Sequence, residues 1–211
     1  MAEAGFPPVI HFVTPRLFES IMADAVTPRR ELFEQYRSYL RVLVEIHASA
    51  GVKYRLDLSG VVQQTMLDAH LAIVAGTPVD LEDPLPWLRR LLANNLMDEV
   101  RRLQASKRSL EREVSLEQQL QQSSIQMEAF LAADQSAPVD RLIRQERILR
   151  LTAALCRLSE PQRIAIILQH WHGHSLQQIA DRLERTPMAV AGLLKRALRT
   201  LREDLQDLQS R

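Results

Sequence analysis

Lys195, Arg196, Arg199 and Arg202 recur at one-, three- and four-residue steps near the end of a 211-residue chain. On a helix such spacing gathers cations on one side, and the chemistry this offers is charge-assisted hydrogen bonding to phosphate. Arg90, Arg101, Arg102, Lys107 and Arg108 form a second basic group far upstream. The chain as a whole carries a net charge of +1, from 27 Lys+Arg and 26 Asp+Glu. That average hides segregation: residues 84–112 hold +4 and residues 182–202 hold +5, and the remaining segments are acidic. Two basic stripes in an otherwise acidic chain are the footprint of a protein that touches phosphates at two places.

The only dense set of metal-type side chains is His170-Trp171-His172-Gly173-His174. Three imidazoles can hold a transition metal, but Gly173 breaks the helix and neither Glu nor Cys follows at a zinc-enzyme spacing. A phosphate-cradling glycine loop, a Ser-His-Asp set and a Cys-His set are likewise missing from the sequence. The expectation is a non-enzymatic protein with no cofactor and no metal.

These side chains need elements to carry them. Aromatics are 5% of residues and glycine numbers 6, while Leu, Ala, Arg, Gln and Glu abound, so the fold class expected is all-α. The single cysteine, Cys156, precludes an internal disulfide framework and fits a reducing compartment. No apolar run approaches the roughly 20 residues of a membrane span. The start MAEAGFPPVI lacks the basic and apolar segments of a signal peptide, so the expected location is the cytoplasm, with no membrane contact.

Five segments follow from composition and periodicity. Residues 1–28 form an N-terminal extension whose Phe6, Val9, Ile10, Phe12, Val13, Leu17, Phe18 and Ile21 are too apolar for a disordered tail; it should pack on a domain or bind a partner. Residues 29–112 read as a three-helix bundle. Its first helix carries Leu32, Phe33, Tyr36, Leu40, Leu43, Val44 and His47 inward and stops at Gly51. The second is capped by Asp57 and buries Leu58, Val61, Val62, Met66, Ala69 and Ile73; the third buries Leu85, Leu88, Leu92, Leu96, Val100 and Leu103.

Residues 113–140 are rich in Gln and Ser, and from 114 to 140 hold four acids and no base, which reads as a flexible linker with at most a helical turn around 125–133. Residues 141–205 read as a second helical domain, and 206–211 as a tail. Ser159-Glu160-Pro161-Gln162 and Ser175-Leu176-Gln177-Gln178 match capping boxes, and Thr186-Pro187 marks another helix start. Two short helices from Ser175 and Thr186, separated by a few residues, have helix-turn-helix spacing. Leu176, Ile179, Ala180 and Leu183 should then pack on Val190, Leu194, Ala197 and Leu201, leaving Thr186, Met188, Ala189, Gly192, Lys195, Arg196 and Arg199 outside to meet a DNA groove.

At family level, LSEPQRIAIILQHWHGHSLQQIADRLERTPMAVAGLLKRALRTLRE resembles region 4 of bacterial sigma factors. DLSGVVQQTMLDAH resembles their region 2.2, and PWLRRLLANNLMDEVRRLQASKR resembles regions 2.3 to 2.4, with Trp87, Asn94, Asp98 and Arg101 at helical spacing. Two regions with a short linker resemble the extracytoplasmic-function group. The resemblance spans roughly residues 29–203. It implies a sigma factor that joins RNA polymerase core, through the β′ clamp helices and the β flap, and directs promoter-specific initiation. An anti-sigma protein is a further partner that it allows.

In that scheme Gln63, Gln64, Leu67, Asp68 and Leu71 face polymerase, as a mixed polar and aliphatic surface off the buried stripe. Arg90, Asn94, Arg101, Arg102, Lys107 and Arg108 engage the minus-ten element, the cations neutralising the backbone and Asn94 either bonding a base edge or bracing the loop 76–83. Asp98 reads as an intrahelical partner of Arg101 or Arg102. Trp87 reads as core, with stacking on an unpaired base as its other use. The acidic linker would thread toward a positively charged channel of the polymerase.

Region 4 would engage the minus-thirty-five element through Thr186, Met188, Ala189, Gly192, Lys195, Arg196 and Arg199. Family members often place Gly in the turn and Lys, Ser and Arg early in the recognition helix; here Glu184, Ala191, Gly192 and Leu193 occupy those places. Small residues favour thymine methyl contacts over bidentate guanine contacts, so the cations are expected mainly to grip phosphate. The competing readings are a helix-turn-helix regulator that acts without joining polymerase, and a scaffold or anti-sigma protein that binds only other proteins.

Overall fold

In the computed structural model, described over residues 27–47, 57–80, 83–104, 110–132 and 141–206, these residues form eight helices and no strand. They are α1 (Thr27–His47), α2 (Leu58–Val74), α3 (Leu85–Gln104), α4 (Leu110–Ala132), α5 (Arg141–Arg157), α6 (Glu160–His170), α7 (Leu176–Leu183) and α8 (Pro187–Gln206). The chain divides between Glu34 and Gln35, and the account below concerns the compact unit Gln35–Arg211. The apolar residues of the segment 1–26, Gly51, Lys107 and Arg108 lie outside the described residues.

Local chemistry starts and stops several helices where the sequence expects, but α3, expected to run from about Pro84 to Arg112, ends at Gln104, and α4 begins at Leu110. Asp57 Oδ1 accepts the Gly60 backbone N–H at 2.9 Å, capping α2. At its other end Gly76 takes φ +75°, and the Thr77 N–H reaches back to the Ala72 carbonyl at 2.9 Å, closing orphan carbonyls in the left-handed geometry that glycine favours. The Ser159 N–H donates to Gln162 Oε1 at 3.2 Å, with Pro161 in the first turn of α6.

The buried face of α1 is broader than a stripe: Tyr39, Leu40, Val42, Leu43, Val44 and Ile46 are all buried. The reason is that partners surround it. Tyr39 Oη lies 3.2 Å from Ser124 Oγ on α4 and accepts from Arg89 Nη1 on α3 at 3.0 Å. Tyr36 Oη accepts from Gln145 on α5, the Cys156 thiol points to the Ser38 carbonyl, and Glu45 pairs with Arg163 of α6.

The flexible linker expected over 113–140 is corrected: α4 carries this stretch as a 23-residue helix as far as Ala132. It packs on α3 and α5 and buries Leu120, Ser123, Ser124 and Met127. Their spacing of three, four and seven is one helical face, concealed in the sequence because half of it is serine. Both serines find partners inside, Ser124 with Tyr39 and Ser123 with His47 Nε2 at 2.8 Å, which offsets the cost of burying hydroxyls.

Two further expectations fail on burial. Leu67, expected on an open face of α2, is only 6% exposed, because neighbours cover α2 on more than the single stripe that periodicity reveals. Ile73, expected inward, is 43% exposed in the final turn of α2 beside Leu71 and Val74.

Candidate nucleic-acid interface

The best-defined candidate site is α7, its turn and α8. Ser175 and Gln178 form a reciprocal capping box: the Ser175 N–H donates to Gln178 Oε1 at 2.8 Å, and the Gln178 N–H donates to Ser175 Oγ at 3.3 Å. Ile179 and Ala180 are the buried residues of α7. Leu176 is 40% exposed, so it lies at the margin of the packing expected for it.

Glu184 ends α7 in the left-handed conformation, with φ 52°. The Arg185 N–H then reaches the Ala180 carbonyl at 2.9 Å, the long bond of a Schellman closure. This is the turn position where the sequence places glutamate instead of glycine, and the backbone geometry is kept. One residue on, Thr186 Oγ1 accepts the Ala189 N–H at 3.2 Å and caps α8, with Pro187 as its first residue. Thr186 therefore serves the helix start while remaining exposed.

The inner face of α8 buries Val190, Leu193, Leu194, Ala197 and Leu201 against α5, α6 and α7. Outside stand Met188, 85% exposed, and Lys195, Arg196, Arg199 and Arg202, with Ala189 and Gly192 partly exposed. The structure thus brings every sequence-expected residue of this group onto the accessible side. Arg182 and Arg185 are exposed at the turn and widen the positive surface; the local charge count was their signal in the sequence. The nearest acid on α8 is Glu203, 3.9 Å from Arg199, and both are highly exposed. Such a surface can hold a polyanion by charge and present Met188, Ala189 and Gly192 to base edges.

The support behind this surface is tertiary. The indole N–H of Trp171 donates to the Ser123 carbonyl of α4 at 3.3 Å, and its ring stacks on Phe130 at 5.9 Å. His170 meets Phe130 edge-on, and the His172 and His174 rings meet at 5.9 Å. The histidine segment therefore joins α6 and α7 to the helices beneath. Burial lowers the pKa of His170 and His172, and burial with the neighbouring His172 lowers that of His47 to about 4.

The second basic group is arranged differently. Arg90 bonds Glu117 of α4 at 3.1 Å, Arg101 bonds Asp98 at 2.8 Å, and Arg102 pairs with Glu99. Each described cation of this group has an acid beside it, and Asp98 takes the intrahelical role expected of it. Asn94 is exposed, and Trp87 is partly buried. The neighbouring Asn95, which sequence reasoning passed over, donates to Asp68 Oδ2 at 2.8 Å and to Thr65 Oγ1 at 3.3 Å, tying α3 to α2. On α2 Gln63 and Leu71 are exposed, while Gln64 is half-buried and bonds Asp68 at 2.8 Å.

Residues 148–201 match the family model described as Sigma-70, region 4. The matched segment begins within α5 and takes in α6, α7 and most of α8, so it coincides with the helix-turn-helix and its support. The match is confined to residues 148–201 and makes this segment similar to sigma-70 region 4. A comparison with curated proteins found no match.

Proposed function

We propose that the chain is a sigma factor of the extracytoplasmic-function group, which joins RNA polymerase core and directs promoter-specific initiation. The observation that carries this reading is the coincidence of the region 4 match, residues 148–201, with a capped helix-turn-helix whose outer face is cationic. In this proposal α8 enters the major groove of the minus-thirty-five element, and Lys195, Arg199 and Arg202 hold phosphates. On α3, Arg90, Asn94, Arg101 and Arg102, followed by Lys107 and Arg108, engage the minus-ten element. The cations exchange their carboxylate partners for phosphate when DNA arrives, since exposed ion pairs are worth little in water. Gln63, Gln64, Asp68 and Leu71 meet the β′ clamp helices. The chain performs no chemistry itself; catalysis belongs to the polymerase.

The test is run-off transcription with purified chain and core polymerase over a library of duplexes. Core-dependent initiation from a defined sequence class is the expected result. Tight binding of a duplex site by the chain alone, with no initiation by chain plus core at any sequence, would replace this reading with a regulator that acts without joining polymerase.

A further inference from the structure

The histidine segment that follows α6 takes no part in the DNA-facing surface, yet it lies where two groups of helices meet. On one side α2 packs on α3 and α3 on α4; on the other α8 packs on α5, α6 and α7. Helix α1 runs between them: Tyr39 bonds Ser124 of α4 and Arg89 of α3, while Glu45 pairs with Arg163 of α6.

At the last turn of α1 this seam is lined by imidazoles. His47 Nε2 lies 2.8 Å from Ser123 Oγ of α4, and the His172 ring bonds the carbonyl of the adjacent Ile46. Trp171, 8% exposed, closes the same place by donating its indole N–H to the Ser123 carbonyl, and His170 meets Phe130 of α4 edge-on. The His174 ring stands 5.9 Å from that of His172, and its Nδ1 is buried with no hydrogen-bond partner among the described residues.

Such a seam accepts neutral rings and opposes charged ones. Burial lowers the pKa of both His47 and His172, in the second case against the bond to the Ile46 carbonyl, which favours the charged ring. Among the described residues, the charged groups that bear on these two rings are His172, His174 and Arg182, each positive when charged. Glu45, two residues before His47, is engaged by Arg41 and Arg163. A protonated imidazole also donates from both nitrogens, and a proton on His174 Nδ1 would find no acceptor.

We infer that this histidine seam is an acid-released latch: with neutral rings it holds α5–α8 against α1 and α4, and protonation frees α5–α8 from α1–α4. Its consequence rests on the sigma reading. The minus-ten and minus-thirty-five elements lie about 25 base pairs apart, roughly 85 Å of duplex at about 3.4 Å per step. A compact chain of the length of residues 35–211 has a radius of gyration of about 16 Å, so α3 and α8 cannot reach both elements while the latch is closed. Once the seam opens, His47 returns from about 4 to its ordinary 6.5. Between those values the open form takes up a proton that the closed form refuses, so opening becomes easier as pH falls.

Hydrogen exchange of the Trp171 indole N–H in the full-length chain, followed by NMR and referred to free tryptophan at each pH, reads the open population. The indole should exchange faster than the amide of Ile166, a fully buried residue of α6, because opening leaves α6 folded. Its protection should fall about tenfold from pH 7.5 to pH 5.5. His47→Gln should flatten that fall, and so should His172→Gln, whose exposed position keeps folding out of the comparison. His70→Gln, on α2, should leave the fall unchanged. Indole protection equal to that of Ile166, or independent of pH, overturns the latch, as does an unaltered fall in both seam variants. Failure of chain plus core to initiate at any sequence, with the pH-dependent indole exchange intact, overturns the sigma reading and leaves the latch standing.

Discussion

Arg163 of α6 holds Glu45 of α1 through two hydrogen bonds, Nε to Oε2 at 2.6 Å and Nη2 to Oε1 at 3.3 Å, with both side chains at most 10% exposed. Arg163 Nη1 also donates to the Leu158 carbonyl at 3.1 Å, so a buried guanidinium fastens the helix preceding the helix-turn-helix to α1. Arg41 Nε also donates to Glu45 Oε1 at 3.2 Å, so Arg163→Ala leaves Glu45 a cation, whereas Glu45→Ala leaves the buried Arg163 guanidinium without its carboxylate. Glu45→Ala should destabilise the protein by about 3 to 5 kcal/mol, and an apolar replacement of both Glu45 and Arg163 by much less. Urea denaturation of the single and double variants checks this.

Stability should fall with acid through His47. Its pKa is about 4 in the folded protein against 6.5 as the ordinary value, because burial and then the neighbouring His172 oppose the cation. Above pH 6.5 the imidazole is neutral folded or unfolded and nothing is lost. Between pH 6.5 and 4 the unfolded chain takes up the proton and the folded one does not, so folding weakens as pH falls. The loss at pH 5 is about 2 kcal/mol from this group, with His170 and His172 shifted in the same direction. Denaturation midpoints at pH 7.5 and pH 5 should differ less in His47→Gln than in the wild type.

Leu120 tests the standing of α4. It is fully buried in a stretch whose composition suggests a solvated linker. Leu120→Ala should cost about 2 to 5 kcal/mol, as core truncations do, whereas a linker residue would cost almost nothing. Limited proteolysis should likewise spare the 116–130 segment in the native protein.

At the turn before the recognition helix, Glu184 adopts a left-handed conformation that favours glycine. Glu184→Gly should raise stability by at most about 1 kcal/mol, the relief of the Cβ contact being partly offset by a more flexible unfolded chain. Thermal unfolding checks the sign. Removal of one negative charge beside Arg182 and Arg185 should also strengthen DNA association at low salt.

Lys195 and Arg199 are displayed on the outer face of α8. Charge reversal of either, as Lys195→Glu or Arg199→Glu, should lower DNA affinity strongly at low salt and little at high salt, with folding unchanged. Binding isotherms across a salt series give the slope. A protein-only scaffold would show no such dependence.

Helix ends and the helix-turn-helix were legible in the sequence because they depend on neighbours a few residues away. Asp57 caps the Gly60 N–H, Ser175 and Gln178 satisfy each other, and Thr186 caps Ala189, each across three residues. The same short range made the cationic face of α8 readable, since a helix places residues three and four apart on one side. What surrounds a helix was decided only by the tertiary structure. Ser124 is buried because Tyr39, 85 residues away, supplies its partner, and Leu67 is buried by neighbours beyond its own stripe. Glu45 and Arg163, 118 residues apart, each look like surface charges until the fold pairs them. Local hydrogen bonding encodes where a helix begins and ends, whereas burial depends on which distant side chains arrive to exclude water.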